Sequence, residues 1–151
     1  MSLRRRTQII LALAGVVALG FLREFLFVNI NAHLFALWYD EPSEATDLIP
    51  FMKSMEYYPL YYSKWVLTVA FSALFYGMTW LTLKVIFKRS FAKELLAIYG
   101  ALYLLAGIAM GIGVLYHKTD DSYIIARFLM GIAQSPLLLM IMVPGVWLRR
   151  E

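Results

Sequence analysis

The chain contains no cysteine. Disulfides, thiolate metal sites, iron–sulfur clusters and a cysteine nucleophile are thereby excluded. Charge is scarce as well: Asp, Glu, Lys and Arg make up 16% of the 151 residues, against about a quarter in an ordinary soluble domain. The sequence has no Gly-x-Ser-x-Gly elbow, Ser-x-x-Lys pair, His-Glu-x-x-His run or phosphate loop, so a hydrolase or nucleotide-dependent enzyme has little support. It has no internal repeat and no low-complexity tract.

What fills the space is apolar. Hydrophobic residues are 62% of the chain and the mean hydropathy is +0.68. A globule of this size buries too small a share of its surface to hide so many apolar side chains. A soluble enzyme, a disordered tail and a nucleic-acid module are excluded on that ground. The net charge of +4 accompanies no basic cluster on a polar fold, so it bears on membrane topology rather than on nucleic acid.

A bilayer core of roughly 30 Å needs about 20 apolar residues per helix. Four segments qualify, at about 9–30, 65–87, 95–116 and 123–148, and predict an all-α, four-helix transmembrane bundle in a single domain. Loop charge orients it. Arg4, Arg5, Arg6, Lys84, Lys88, Arg89, Lys93, Arg149 and Arg150 fall on one side, against Lys53, Lys64 and Lys118 on the other. That bias predicts both termini on the cytoplasmic side of a bacterial membrane. The basic start followed by an apolar run resembles a secretory signal, but no small-x-small cleavage site follows it, so it reads as a retained first helix.

The outer loop 31–64 is long and carries Pro42, Pro50 and Pro59 together with Phe35, Trp38, Tyr39, Phe51, Tyr57, Tyr58, Tyr61 and Tyr62. Aromatic residues at that density belong to the membrane interface, so the loop is expected to lie on the outer leaflet, with a short helix near 43–56. The turns at 88–94 and 117–122 are short and predict antiparallel pairing of helix two with three and of three with four.

Helix packing in lipid relies on small residues and interhelical hydrogen bonds. Gly100, Gly107 and Gly111 share a face of the third span, and Thr68, Ser72, Tyr76 and Thr79 a stripe of the second. The two are expected to meet, with homodimerisation through Gly107 and Gly111 as the alternative. Pro136 and Pro144 should each kink or loosen the fourth span, with Ser135 helping to satisfy the freed carbonyls.

Charges inside spans usually pair or line a cavity. Arg23, Glu24 and Arg127 fall at one depth near the outer side. Arg23 and Glu24, as sequence neighbours, point about 100° apart, which favours Arg127 as the partner of Glu24. Glu24 and Asn31 share a stripe with Gly20 and Phe27. Arg127, Gly131 and Gln134 share another, and Asn29, His33, Lys64 and Tyr123 lie at the outer rim. The candidate site residues are therefore Arg23, Glu24, Asn31, His33, Arg127 and Gln134. They form a buried ion-pair network locking the first span to the last, or an outward-facing pocket for a lipid headgroup or a partner's anionic group, or else the charges simply snorkel outward. His33 and His117 could in principle hold a haem or a metal. Neither lies within a span and no third ligand accompanies them, so both read as interfacial, and no cofactor is expected.

The stretches "LREFLF" (22–27), "LWYDEP" (37–42) and "YIIARFLMGIAQSPLLLMIMVPGVWLRR" (123–150) resemble the small membrane proteins of Bacteroidetes associated with the exosortase F system. Glu41, between Asp40 and Pro42, departs from that pattern. The resemblance covers the four-span layout and about forty residues. It implies a non-enzymatic accessory protein of the bacterial cytoplasmic membrane that binds a membrane-protein partner. An exosortase itself would require a cysteine nucleophile. The other functional expectation is outer-leaflet lipid or anion binding, or an enzyme on such a substrate, through Arg23, Glu24 and Arg127.

Overall fold

The computed structural model describes residues 3–148, and among these the regular structure is helical throughout. Six helices follow one another: α1 (Leu3–Tyr39), α2 (Pro50–Lys53), α3 (Tyr57–Phe87), α4 (Ala92–Leu115), α5 (Thr119–Ala133) and α6 (Leu137–Leu148). α1, α3 and α4 are each long and apolar enough to cross a membrane, and α5 with α6 makes a fourth span if that bent pair is counted as one. The chain is a multi-pass membrane protein by this measure. Arg149 and Arg150, which entered the charge count, lie outside the described residues.

The largest difference from expectation is in the long connection expected at 31–64. Helix α1 runs nine residues past the expected end of its span, and α3 begins eight residues before its own, so the connection shrinks to 40–56. At 37 residues, α1 is about 55 Å long, well beyond a hydrocarbon core of roughly 30 Å. Polar residues such as Asn29, Asn31 and Lys64 end the apolar run without ending the helix. Pro59 does not interrupt α3, because it lies in the first turn, where backbone N–H groups have no intrahelical partner. Apart from Phe51 in α2, the aromatic residues stand on these extensions and pack there: Trp38 is tilted against Tyr57 at 5.4 Å, and Tyr57 stacks on Tyr61 at 6.1 Å between ring centroids.

The shortened loop is folded, not merely laid on a surface. The Asn29 side chain accepts from the Thr46 N–H at 2.7 Å, and His33 Nδ1 lies 2.9 Å from Ser43 Oγ. Ala45 and Met52 bury against Ile30, Leu34 and Leu60. The expected short helix is the single turn of α2, opened by Pro50. A hydrogen bond from Lys53, and then its charge, hold the Asp47 carboxyl below the ordinary carboxylate range.

Helix α1 packs chiefly on α3, and α4 chiefly on α5. Where α1 meets α3, a Cβ added to Gly15 would come within 2.6 Å of Met78 Cε. The α4–α5 contact is built from small residues. Ala106 and Gly113 are buried on α4, and Ser122, Ala126 and Ala133 on α5. This corrects the expected packing face. Gly107 and Gly111 have open space where a Cβ would stand, as has Gly100, whereas a Cβ on Gly113 would overlap the Ser122 side chain. The true stripe is Tyr99, Ala106 and Gly113, one residue removed from the expected one and so about 100° around the helix. The α3 stripe meets tyrosines instead of glycines: Tyr103 donates to Ser72, and Tyr76 donates to the Ala92 carbonyl at 3.0 Å.

The turn after α4 shows why Gly113 is needed. His117 takes the left-handed conformation, with φ of 53°. The Lys118 N–H then bonds back to the Gly113 carbonyl at 2.9 Å, the Schellman closure that ends many helices. This brings Ser122 down onto Gly113. His117 is thus a turn residue.

The fourth span divides at Pro136, and α5 and α6 meet at 61°. Ser135 serves both halves: its hydroxyl donates to the Ile132 carbonyl at 3.0 Å and accepts from the Leu137 N–H at 3.4 Å. Pro144 lies inside α6, which continues past it. Gly20 of α1 passes under the break, leaving 3.6 Å between an added Cβ and Pro136. At the other end of the molecule, Arg5 donates to the Ile86 carbonyl at 2.6 Å. It thereby closes the last turn of α3, a role beyond its part in the loop charge count.

Gly113→Ala is expected to lower thermal stability in detergent by about 1–3 kcal/mol, the cost of overpacking a close contact. Gly111→Ala should leave it unchanged or raise it by up to about 1 kcal/mol, since it adds helix propensity and meets nothing. Thermal unfolding of the two variants side by side decides which face of α4 is the packing face.

Candidate binding site

The two helix pairs meet less closely than the helices within each pair, and a cavity of about 330 Å³ lies between them. All four long elements contribute. Arg23, Glu24 and Asn31 come from α1, Lys64 and Thr68 from α3, Tyr103 and Gly107 from α4, and Tyr123 and Arg127 from α5, with Gln134 just beyond its end. Five of the six expected site residues therefore line one cavity. The sixth, His33, does not. It is buried under the loop, paired with Ser43 through Nδ1, and its Nε2 has no hydrogen-bond partner. His33 is a strut of the loop.

The expected Glu24–Arg127 pair does not form. Glu24 pairs with its neighbour Arg23, Nη1 to Oε2 at 3.1 Å, through a single nitrogen–oxygen contact. The 100° divergence along the helix forbids the two-point fork, as anticipated, but not a bent one-point contact. Glu24 remains exposed, with 64% of its side chain accessible. The cavity itself explains the absent pair: α1 and α5 are held apart where Glu24 and Arg127 would have to touch.

The tie between the first span and the last is instead Arg23 Nε donating to Gln134 Oε1 at 3.3 Å. Gln134 is almost fully buried, at the foot of α5 beside the Pro136 break. Arg23 also lies over the Phe27 ring, 4.8 Å from its centroid. One arginine thus has a carboxylate, an amide and a ring face around it.

The other two cations are differently placed. Lys64 donates to Asn31 Oδ1 at 2.7 Å, a neutral acceptor. Arg127 makes no hydrogen bond and no ion pair with the described residues. Lys64 and Arg127 are close enough for their charges to act on each other. Three cations against one carboxylate leave the cavity a surplus of two positive charges.

Sequence reasoning put Lys64 at the rim but not among the site residues. Its signal was Asn31, on the same helix stripe as Glu24, whose side-chain oxygen accepts from Lys64. Thr68 and Gly107, expected in helix packing, line the cavity instead. The Tyr103–Ser72 bond anchors α4 to α3 beneath them. Among the described residues no three His, Asp or Glu side chains come together to hold a metal. The chain matches no family model, no curated protein and no solved structure.

Gln134→Leu should lower thermal stability in detergent by about 2 kcal/mol, because it takes a buried acceptor from a charged donor. Glu24→Gln should cost less than about 1 kcal/mol, as exposed ion pairs do. A larger loss for Glu24→Gln than for Gln134→Leu in the same unfolding assay would reverse this assignment of the interhelical tie.

Proposed function

We propose that this protein binds an anionic lipid headgroup in the cavity between its two helix pairs, in the outer half of a bacterial cytoplasmic membrane. One observation carries the reading. Arg127 faces a cavity between apolar helices whose one carboxylate, Glu24, pairs with Arg23 instead, and Lys64 has only an amide. A cation at membrane level is costly unless it pairs or reaches water, and an anion entering this cavity supplies the missing pair. Arginine suits the task, since its fork matches a phosphate in two-point geometry.

Binding is favoured over catalysis because the one carboxylate at the cavity, Glu24, already holds Arg23. A recessed cavity also suits a small ligand better than a protein surface, so partner binding stands second to it. Native mass spectrometry of protein in mild detergent, offered phosphatidylcholine, phosphatidylglycerol and phosphatidic acid together, tests the reading. Retention of an anionic lipid over the zwitterionic one, lost in Arg127→Gln, is expected. Equal retention of all three lipids would refute it.

The orientation belongs to the same proposal. The cavity lies toward the ends of α1 and α3 that carry the 40–56 loop, the side with few lysines and arginines. That side is expected to face outward. A reporter active only outside the cytoplasm should be active when inserted within 42–47 and silent when fused after Glu151. The opposite pattern would place the cavity in the inner leaflet.

A further inference from the structure

Resting on the anion-binding reading, we infer that the group the cavity selects is a dianionic phosphate monoester rather than a monoanionic phosphodiester or carboxylate. Of the three cations at the cavity, Arg23 is already compensated by Glu24 at 3.1 Å and further held by Gln134 at 3.3 Å. It is a wall of the site, with its hydrogen-bonding capacity partly spent. The two cations left are Lys64, on a neutral amide at 2.7 Å, and Arg127, with no hydrogen bond or ion pair among the described residues. Both line the same cavity, where like charges repel.

A singly charged headgroup satisfies one of them and leaves the other facing it. A doubly charged one satisfies both and cancels their repulsion. Inside a site of reduced dielectric that second charge is worth more than it would be in water. The donors also match. A phosphate monoester has three terminal oxygens, enough for a two-point contact with Arg127 and a third with Lys64, whereas a diester has two.

Two sources carry this chemistry, a lipid such as phosphatidic acid and free inorganic phosphate. The surroundings favour the lipid. Arg23 and Arg127 also border a second depression, of about 610 Å³, which runs along α5 past Phe128 and Ile132 to Leu137 at the break. Beyond the arginines its lining is mostly apolar, with Tyr123 and Ser135 as polar exceptions, so a hydrocarbon chain can lie there while its headgroup reaches the cations.

The test compares dioleoyl phosphatidic acid, dioleoyl phosphatidylglycerol and inorganic phosphate on the full chain in detergent, by native mass spectrometry and by thermal shift. At about pH 8 a monoester is fully dianionic, since its second proton leaves near about pH 6. The expected result there is phosphatidic acid bound at least about tenfold more tightly than phosphatidylglycerol, a difference of about 1.4 kcal/mol. The preference should shrink at about pH 5, where the monoester carries one charge. Lys64→Gln should abolish the preference while retaining anionic lipid over phosphatidylcholine. Lys64→Arg should keep the preference, which separates a charge effect from damage to the fold. Equal affinity for the two anionic lipids overturns this inference and leaves the anion-binding reading intact. Binding of neither overturns both. Inorganic phosphate that displaces phosphatidic acid at equal concentration overturns the lipid source and leaves the dianionic selectivity standing.

Discussion

How closely two helices can approach in a bilayer is the constraint on which this structure turns. Lipid tails are as apolar as leucine, so burying apolar surface gives no reason for helices to associate, and contact must come from shape and hydrogen bonds. Ala106, Gly113, Ser122, Ala126 and Ala133 let α4 and α5 come together. Gly15 does the same beneath Met78 for α1 and α3. Between the two pairs, Gly20 lies close beneath Pro136 at the break, but around the cavity the described residues form no such seam. There the contacts run through long side chains, such as Tyr103 on Ser72, Tyr76 beside Tyr99 and Arg23 on Gln134. Long side chains hold backbones apart, and the cavity is the space they leave.

The same constraint explains what could be read from the sequence and what could not. The number and order of the apolar segments were legible, because hydropathy alone reports them. So was the fact that Arg23, Glu24, Asn31, Arg127 and Gln134 belong together, since polar groups at one depth on inward stripes have few other places to go. The rotation of α4 was not legible. Its glycine stripe and its alanine–glycine stripe are one residue apart, and both satisfy small-residue spacing. The choice rests on the turn at His117, which swings Ser122 onto Gly113. A left-handed turn at a histidine leaves no signature in the sequence.

Helix ends were misjudged for a related reason. Asn29, Asn31, His33 and Lys64 lower the hydropathy, and a hydropathy reading therefore stops at them. Yet each is accommodated within helical backbone, by a bond to the loop or to the facing helix. α1 stops only at Asp40, in the left-handed conformation at φ of 55°, with the Glu41 N–H closing back on the Ala36 carbonyl at 3.0 Å. Polarity marks where a helix leaves the membrane, whereas backbone geometry marks where it ends.

Glu24 gains a clearer meaning from its one-point contact. Had it reached Arg127, Arg23 and Lys64 would have been the cations left over, and the two helix pairs would have been drawn together on an ion pair. By taking Arg23 instead, its own neighbour, it compensates the arginine that bonds Gln134 beside the Pro136 break. That leaves Arg127 and Lys64 unneutralised on the facing walls. A pairing along one helix is a weak source of stability, and it constrains no other element. What it decides is which cations remain uncompensated. Local pairing on α1 and loose packing between the pairs thus have one joint consequence, a cavity whose charge is not cancelled by the protein that encloses it.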